Sequence, residues 1–176
     1  MIDNYSKIRL KEINYNDGKV ESLITDSVNE CYVTLPSIIK PKSESLYTIN
    51  KINSDEQIGL MYLYNIDEFN RSAYIDGFTI NNCYTKELIH GFIHLIRKSF
   101  SELNLNKIYT MHICGTSYYP RIFDFLKLVQ EGLLRNDVNI NGKYHNIYVY
   151  GLLRHEYLRN YNTENKLKKL FDLEGF

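Results

Sequence analysis

The chain has 176 residues, 24% of them charged, and a formal net charge of zero. This length suits one domain with its own core, and the balanced charge indicates no nucleic-acid partner and no polybasic membrane-binding surface. No apolar run reaches the roughly 20 residues that a membrane-spanning helix needs. Charged residues near the N-terminus and three scattered cysteines, which fit reduced thiols, lead us to expect a cytoplasmic protein.

The first third of the chain is predicted to contain two strands with a short helix and a loop between them. Apolar and polar residues alternate over Lys7–Ile13 and Leu46–Ile52, which is typical of strands with one buried face. Val20–Val28 has apolar residues at helical spacing instead. Leu35–Glu44 contains two of the three prolines and is interpreted as an irregular loop.

The central stretch is the most regular part of the sequence. Gly59–Asn65 and Ser72–Ile80 are rich in Ile, Leu, Tyr and Phe and flank a turn-like segment, which predicts a β-hairpin. Lys86–Leu105 then has helical spacing, and Lys107–Cys114 is predicted as a further strand. A hairpin, a helix and a strand beside the hairpin form a βαβ crossover. Ligands of such sheets bind near the first turn of the crossover helix, here at Ile80–Leu88.

The crossover helix is predicted to have one apolar and one polar face. Leu103 belongs to the predicted apolar face, whereas His90 and His94 belong to the polar face. The two histidines have the i, i+4 spacing of a metal-ligand pair. A solvated helix surface is the favoured interpretation, because Gly91 stands where a zinc-protease motif needs Glu, and we expect no metal site.

The last third of the chain is predicted to add a helix, a hairpin and a final helix. Tyr119-Pro120 opens the first helix, since proline suits a first helical position. Gly132–Val138 and Tyr144–Leu153 are predicted strands, and the Asn141-Gly142 pair between them is a strong hairpin turn. Glu164–Asp172 is predicted as a short amphipathic helix.

This order of elements predicts an α/β (α+β) protein. We expect one domain over residues 1–160, followed by a helical tail over residues 161–176. The domain should be a mixed, twisted sheet of six to seven strands with helices on both faces and a central βαβ crossover.

Several motifs in a fixed order resemble those of the GNAT acyl-CoA N-acyltransferase superfamily, and in particular the branch that acetylates ribosomal-protein N-termini. The resemblance covers roughly residues 5–158. Its motifs lie in the central hairpin, at the helix-to-strand junction and in the C-terminal hairpin, over Tyr64–Asp67, Asn70–Ala73, Ser101–Ile108, Glu131–Arg135, Asn141–His145 and Gly151–Tyr157.

The resemblance implies direct transfer of an acetyl or other acyl group from acetyl-CoA or another acyl-CoA to a small-molecule or peptide amine. A general base deprotonates the amine, a backbone N–H of the fourth strand polarises the thioester carbonyl, and a general acid protonates the leaving thiolate. It also allows a homodimer. Asp76 is the carboxylate nearest to the superfamily's base position, and Tyr119 lies one helical turn before its acid position, so these two residues are the candidate base and acid. The implied donor contacts are Phe78, Ile80, Tyr84, Lys86 and Thr116.

The sequence departs from the superfamily pattern at four places. No glycine lies between Gly77 and Gly91, where a glycine-rich loop would hold the pyrophosphate, so the donor site is degenerate. Thr116 replaces an Asn that bonds the cofactor, and Phe123 replaces the Tyr that serves as acid. Tyr74 replaces an early Glu of the fourth strand.

Three functions remain open on the sequence. The first is an acyltransferase with an atypical donor site that uses a CoA thioester or another carrier. The second is a non-catalytic protein of the same fold that binds a small molecule or a protein in the retained cleft. The third is an enzyme of different chemistry, for which His112 and Cys114, two apart on one strand, are the only indication.

Overall fold

The computed structural model describes residues 8–13, 45–80, 84–114 and 119–161. Seven strands lie in these ranges: β1 (Ile8–Ile13), β2 (Ser45–Lys51), β3 (Gln57–Asp67), β4 (Ser72–Thr79), β5 (Lys107–Ile113), β6 (Val129–Ile140) and β7 (Lys143–Leu153). The helices there are α1 (Thr85–Arg97), α2 (Tyr119–Phe125) and α3 (Arg154–Tyr161), and a π-helical turn at Lys98–Glu102 extends α1.

The strands form one seven-stranded mixed sheet in the order β1-β2-β3-β4-β5-β7-β6. β4 and β5 run parallel and are joined by α1, while the other pairs within the described ranges are antiparallel. The predicted mixed sheet and βαβ crossover are therefore confirmed. β3 and β6 are longer than the sequence indicated, because both belong to long antiparallel hairpins whose pairing continues toward the turn.

Some predicted elements lie outside the described residues. These are the helix at Val20–Val28, the loop at Leu35–Glu44 and the helix at Glu164–Asp172. The boundary between a domain and a tail near residue 160 stays a prediction for the same reason. α3 was not predicted, since its sequence is mostly polar and only Tyr157 and Tyr161, four residues apart, anchor it in the core.

The crossover helix is more deeply buried than its pattern indicated. His90 is 5% exposed, so its predicted place on a solvated face is wrong. The run from Leu88 to Phe92 is buried without interruption, because the helix is covered on more than one side. Leu103, predicted on the apolar face, is instead 39% exposed. The wider π-helical turn at Lys98–Glu102 changes the phase of the residues that follow α1.

Met61 holds the crossover helix close to the sheet by packing between two glycines. A Cβ added at Gly77 on β4 would lie 2.2 Å from the Met61 sulfur, and one added at Gly91 on α1 would lie 3.0 Å from it. The first distance is shorter than real Cβ contacts, and the second is tighter than most of them. Glycine at these two positions therefore makes room for Met61, and it sets the distance of α1 from β3 and β4.

The two parallel strands diverge soon after they begin. Their pairing covers only Ser72–Tyr74 against Lys107–Tyr109. Beyond these residues β4 stays paired with β3, and β5 stays paired with β7 along its whole length. The carboxyl-terminal halves of β4 and β5 thus face an opening in the sheet, where ligands of mixed sheets bind. None of the described helices is both long and apolar enough to span a bilayer.

Candidate active site

The divergence of β5 leaves a backbone edge of β4 without ladder partners at Gly77. Ile80 donates its N–H to Ile58 on β3, which fixes the alternation of backbone directions along β4. Residues an even number of positions from Ile80 point their backbone N–H and C=O groups toward β3. Gly77 is three positions away, so its N–H and C=O point toward β5. Because β5 has already diverged at this level, no ladder partner on β5 takes these two groups.

Asp76 provides a buried carboxylate beside this edge. It is 4% exposed, and its Oδ1 accepts a hydrogen bond from the Gly77 N–H at 2.7 Å. It lies opposite Tyr62 on β3 and also accepts a hydrogen bond from the Tyr62 hydroxyl. Burial raises the pKa of Asp76 to about 7, although the Gly77 N–H and Tyr62 both oppose the rise. A carboxyl group with this pKa can exchange a proton near neutral pH.

Aromatic side chains surround Asp76 on the same face of the sheet. Tyr62, Tyr64 and Phe78 are buried there, and Tyr74 packs against them. Burial raises the pKa of both Tyr62 and Tyr64, and the nearby Asp76 carboxylate adds to each rise. Both phenols therefore stay protonated at neutral pH. No local sequence pattern indicates this pairing, since Tyr62 meets Asp76 only through the register of β3 and β4.

Tyr119 reaches the same edge from the first residue of α2. Its hydroxyl donates a hydrogen bond to the Gly77 carbonyl at 3.2 Å. Its ring packs on His112, with centroids 5.2 Å apart, and on Phe123, with centroids 5.8 Å apart. Phe123 is fully buried and lies edge-on to Phe92, so the residue that aligns with the superfamily acid is part of the core. Tyr119 can thus reach β4 from one helical turn earlier.

The residues expected to bind the donor at the end of β4 already have partners in the sheet and the core. Phe78 is 5% exposed and packs in the aromatic group around Asp76. Ile80 is half-buried, and its N–H is bonded to Ile58. These two residues line the end of the strand, and a contact with a donor remains a prediction for both.

The first turn of α1 has a different arrangement from a glycine-rich loop. Tyr84 precedes the helix, and its hydroxyl lies 3.3 Å from Lys51 Nζ and 3.5 Å from Glu56 Oε1. Lys51 also pairs with Glu56 at 2.9 Å and lies over the Tyr84 ring. This cluster fastens the start of α1 to the turn between β2 and β3. Lys86 is exposed on the first turn.

Thr116 lies outside the described residues, so its predicted contact with the donor stays a prediction. Among the described residues, no group of three or more His, Cys, Asp or Glu side chains is placed to hold a metal ion. His112 packs on Tyr119, whereas Cys114 interacts with the Tyr148 hydroxyl. The two residues therefore contact different partners.

A buried hydroxyl that the sequence did not single out lies close to the opening. Thr110 is fully buried on β5, one residue beyond the last pair with β4, and its Oγ1 has no hydrogen-bond partner in the part of the chain that the structure describes. An unpaired buried hydroxyl costs about 1–3 kcal/mol. β5 therefore keeps a polar atom that destabilises the fold at the level where the two strands separate.

Comparison with known proteins identifies relatives and structural neighbours of one kind. No protein-family model matches the chain. The chain is 28% identical over 100 residues to "Putative ribosomal N-acetyltransferase YdaF" of Bacillus subtilis (strain 168), and this stretch is 56% of the chain and 55% of that protein. The match thus spans about half the length of the curated relative.

Solved structures match over more of the chain. A crystal structure of mutant forms of the spermidine/spermine N-acetyltransferase SpeG from Vibrio cholerae has a TM-score of 0.72 at 20% identity, covering 88% of this chain and 99% of that one. A dodecameric structure of spermidine N-acetyltransferase from Vibrio cholerae has a TM-score of 0.70 at 20% identity, covering 88% and 98%. The protein therefore has the fold of the GNAT-type acetyltransferases. The Bacillus relative is likewise named as an N-acetyltransferase, and the motifs of the central and C-terminal hairpins resemble those of the GNAT superfamily.

Proposed function

We propose that the protein is an N-acyltransferase that moves an acetyl or other acyl group from a CoA thioester, or from another carrier thioester, to an amine. The observation that carries this proposal is the buried Asp76 carboxylate, which contacts the edge of β4 next to the opening and has a pKa of about 7. The curated relative and the structural neighbour from Vibrio cholerae are named as N-acetyltransferases, which supports the same reaction class.

In the proposed reaction the amine nitrogen forms a bond to the acyl carbon while the carbon–sulfur bond breaks. Asp76 takes a proton from the amine, and Tyr119 gives a proton to the leaving thiolate. The Asp76 carboxylic acid then returns a proton to the Tyr119 phenolate through solvent, so the protons balance over one turnover. A backbone N–H of β4 stabilises the oxyanion that develops on the carbonyl.

The donor site is proposed to be atypical. A side-chain cluster of Lys51, Glu56 and Tyr84 stands at the start of α1. Lys51 contacts Tyr84 at this helix start, and Lys86 is exposed on its first turn, so we propose that these two cations replace part of a glycine-rich phosphate cradle. Isothermal titration with acetyl-CoA, followed by a screen of amine acceptors, tests the proposal. Absence of heat at millimolar acetyl-CoA would refute the CoA-dependent reaction.

A non-catalytic binding protein is the second candidate, and one observation favours it. Both polar backbone atoms of Gly77 are occupied by side chains of the protein itself, Asp76 and Tyr119. Such an edge is closed to a ligand until these contacts break. Binding of CoA without turnover of any amine would support this candidate over the enzyme.

We also propose that the protein self-associates. The edge strand β6 leaves three apolar side chains exposed: Val129 by 52%, Leu133 by 44% and Leu134 by 39%. The structural neighbour from Vibrio cholerae is described as dodecameric, which supports a further copy of this chain as the partner. Light scattering after gel filtration measures the oligomeric state, and a monomer at high concentration would contradict the proposal.

A further inference from the structure

The N–H of Gly77 already has a strong partner within the protein. It donates to Asp76 Oδ1 at 2.7 Å, which is the length of a charge-assisted hydrogen bond. Asp76 is 4% exposed, so little water competes for this contact. Any ligand that pairs with β4 at this point must replace the carboxylate.

The same N–H is well placed to polarise the carbonyl of an acyl donor. It points into the opening between β4 and β5, and the neighbouring Gly77 carbonyl accepts from Tyr119. Gly77 is therefore contacted by both of the side chains that are proposed for acid–base chemistry. A thioester carbonyl bonded here would lie next to the base and the acid at once.

We propose that Asp76 is an internal competitor of the acyl donor: its carboxylate holds the Gly77 N–H until the donor carbonyl takes that N–H and releases Asp76 to the acceptor amine. This inference rests on the proposed function. It gives one carboxylate two successive partners, so the donor binds before the amine can be deprotonated. While Asp76 is bonded to the Gly77 N–H, it protects that N–H from water. Once the donor carbonyl has displaced it, Asp76 is available as the base.

The competition predicts an unusual effect of removing the carboxylate. Asp76→Ala should bind acetyl-CoA about tenfold more tightly than the wild type, since one charge-assisted hydrogen bond no longer has to be broken. Coenzyme A without an acyl group lacks the thioester carbonyl that this N–H would bind, so its affinity should not change. Asp76→Asn keeps an oxygen acceptor without the charge and should give an intermediate gain for acetyl-CoA.

Isothermal titration of the three proteins with both ligands measures these differences, with circular dichroism to confirm that each variant is folded. Equal or weaker binding of acetyl-CoA to folded Asp76→Ala would overturn the inference, and so would an equal gain for CoA. If the wild type binds neither ligand, the proposed function itself fails, which is a different result.

A measurement on the wild type does not depend on a variant that folds. The backbone amide resonance of Gly77 should shift when acetyl-CoA is added, because its acceptor changes from a carboxylate to a thioester carbonyl. Coenzyme A should leave that resonance in place while it shifts others. Binding of acetyl-CoA with no change at the Gly77 amide would overturn the inference.

Discussion

Asp76 and Tyr119, which are 43 positions apart in the sequence, hold the two polar backbone atoms of a single residue. Asp76 accepts from the Gly77 N–H at 2.7 Å, and Tyr119 donates to the Gly77 carbonyl at 3.2 Å. The carboxylate comes from the strand itself and the phenol from the first turn of α2. Gly77 therefore links the proposed base to the proposed acid through one residue.

Replacing the proposed base should change the pH dependence of the reaction. Asp76→Asn is expected to lower kcat by about 10²–10⁴-fold, the usual range for a general base. The wild-type rate should rise with pH through about 7, as Asp76 loses its proton. The ratio of wild-type to variant rates at each pH is the useful measurement, because the ionisation of the amine cancels in it. A ratio that does not vary between pH 5 and 9 would contradict the role of Asp76.

The same carboxyl group should make stability depend on pH in a defined direction. Its pKa is about 7 in the folded protein and about 3.9 in the unfolded chain, so the folded state binds more protons between these values. The free energy of unfolding should therefore fall as pH rises from about 4 to 7. Asp76→Asn should remove this loss and be more stable than the wild type at pH 8, by on the order of 3 kcal/mol. Urea unfolding at pH 4, 6 and 8 tests the sign.

Tyr119→Phe should separate the role of the hydroxyl from that of the ring. The variant keeps the packing on His112 and Phe123 but loses the bond to the Gly77 carbonyl, which should cost about 0.5–1.5 kcal/mol of stability. If Tyr119 protonates the thiolate, kcat should fall by at least tenfold for a poor leaving group and less for a better one. The exposed Tyr144 supplies the control, since Tyr144→Phe should change neither quantity. A stability loss with unchanged kcat would make Tyr119 structural.

Gly77→Ala should destabilise the protein through Met61 and the backbone of β3. The added Cβ would lie 2.2 Å from the Met61 sulfur and 2.8 Å from the Leu60 carbonyl oxygen, and the backbone oxygen cannot move aside cheaply. We expect a loss of about 1–3 kcal/mol in urea unfolding. Gly132→Ala is the matched control on β6, where no atom lies within 4 Å of the added Cβ. Equal effects at the two glycines would contradict the packing argument.

Two buried threonines test whether the opening carries an uncompensated polar group. Thr110→Val removes a hydroxyl that has no partner among the described residues, and it should stabilise the protein by about 1 kcal/mol. Thr48→Val removes a hydroxyl bonded to Asn50 Oδ1 at 2.6 Å and should destabilise it. Thermal melts of both variants give the two signs. Destabilisation by Thr110→Val would mean that its hydroxyl has a partner in solution.

Local patterns predicted the parts of the fold that depend on neighbouring residues. The central hairpin, the crossover helix and the turn at Asn141-Gly142 were all predicted, and Asn141 and Gly142 indeed have positive φ. These elements follow from alternation, helical spacing and turn chemistry, which act within a few residues. The pattern failed at His90, because a helix buried on more than one side needs no polar face.

The sequence by itself determined the resemblance to the GNAT superfamily, the mixed sheet, and the residue types of the proposed base and acid. Only the tertiary structure decided that Asp76 and Tyr119 meet at Gly77, that Tyr62 bonds to Asp76, and that burial raises the pKa of Asp76 to about 7. The reason is physical. Strand register, divergence of β4 from β5 and desolvation depend on residues far apart in the chain, and no local pattern encodes the distance between them.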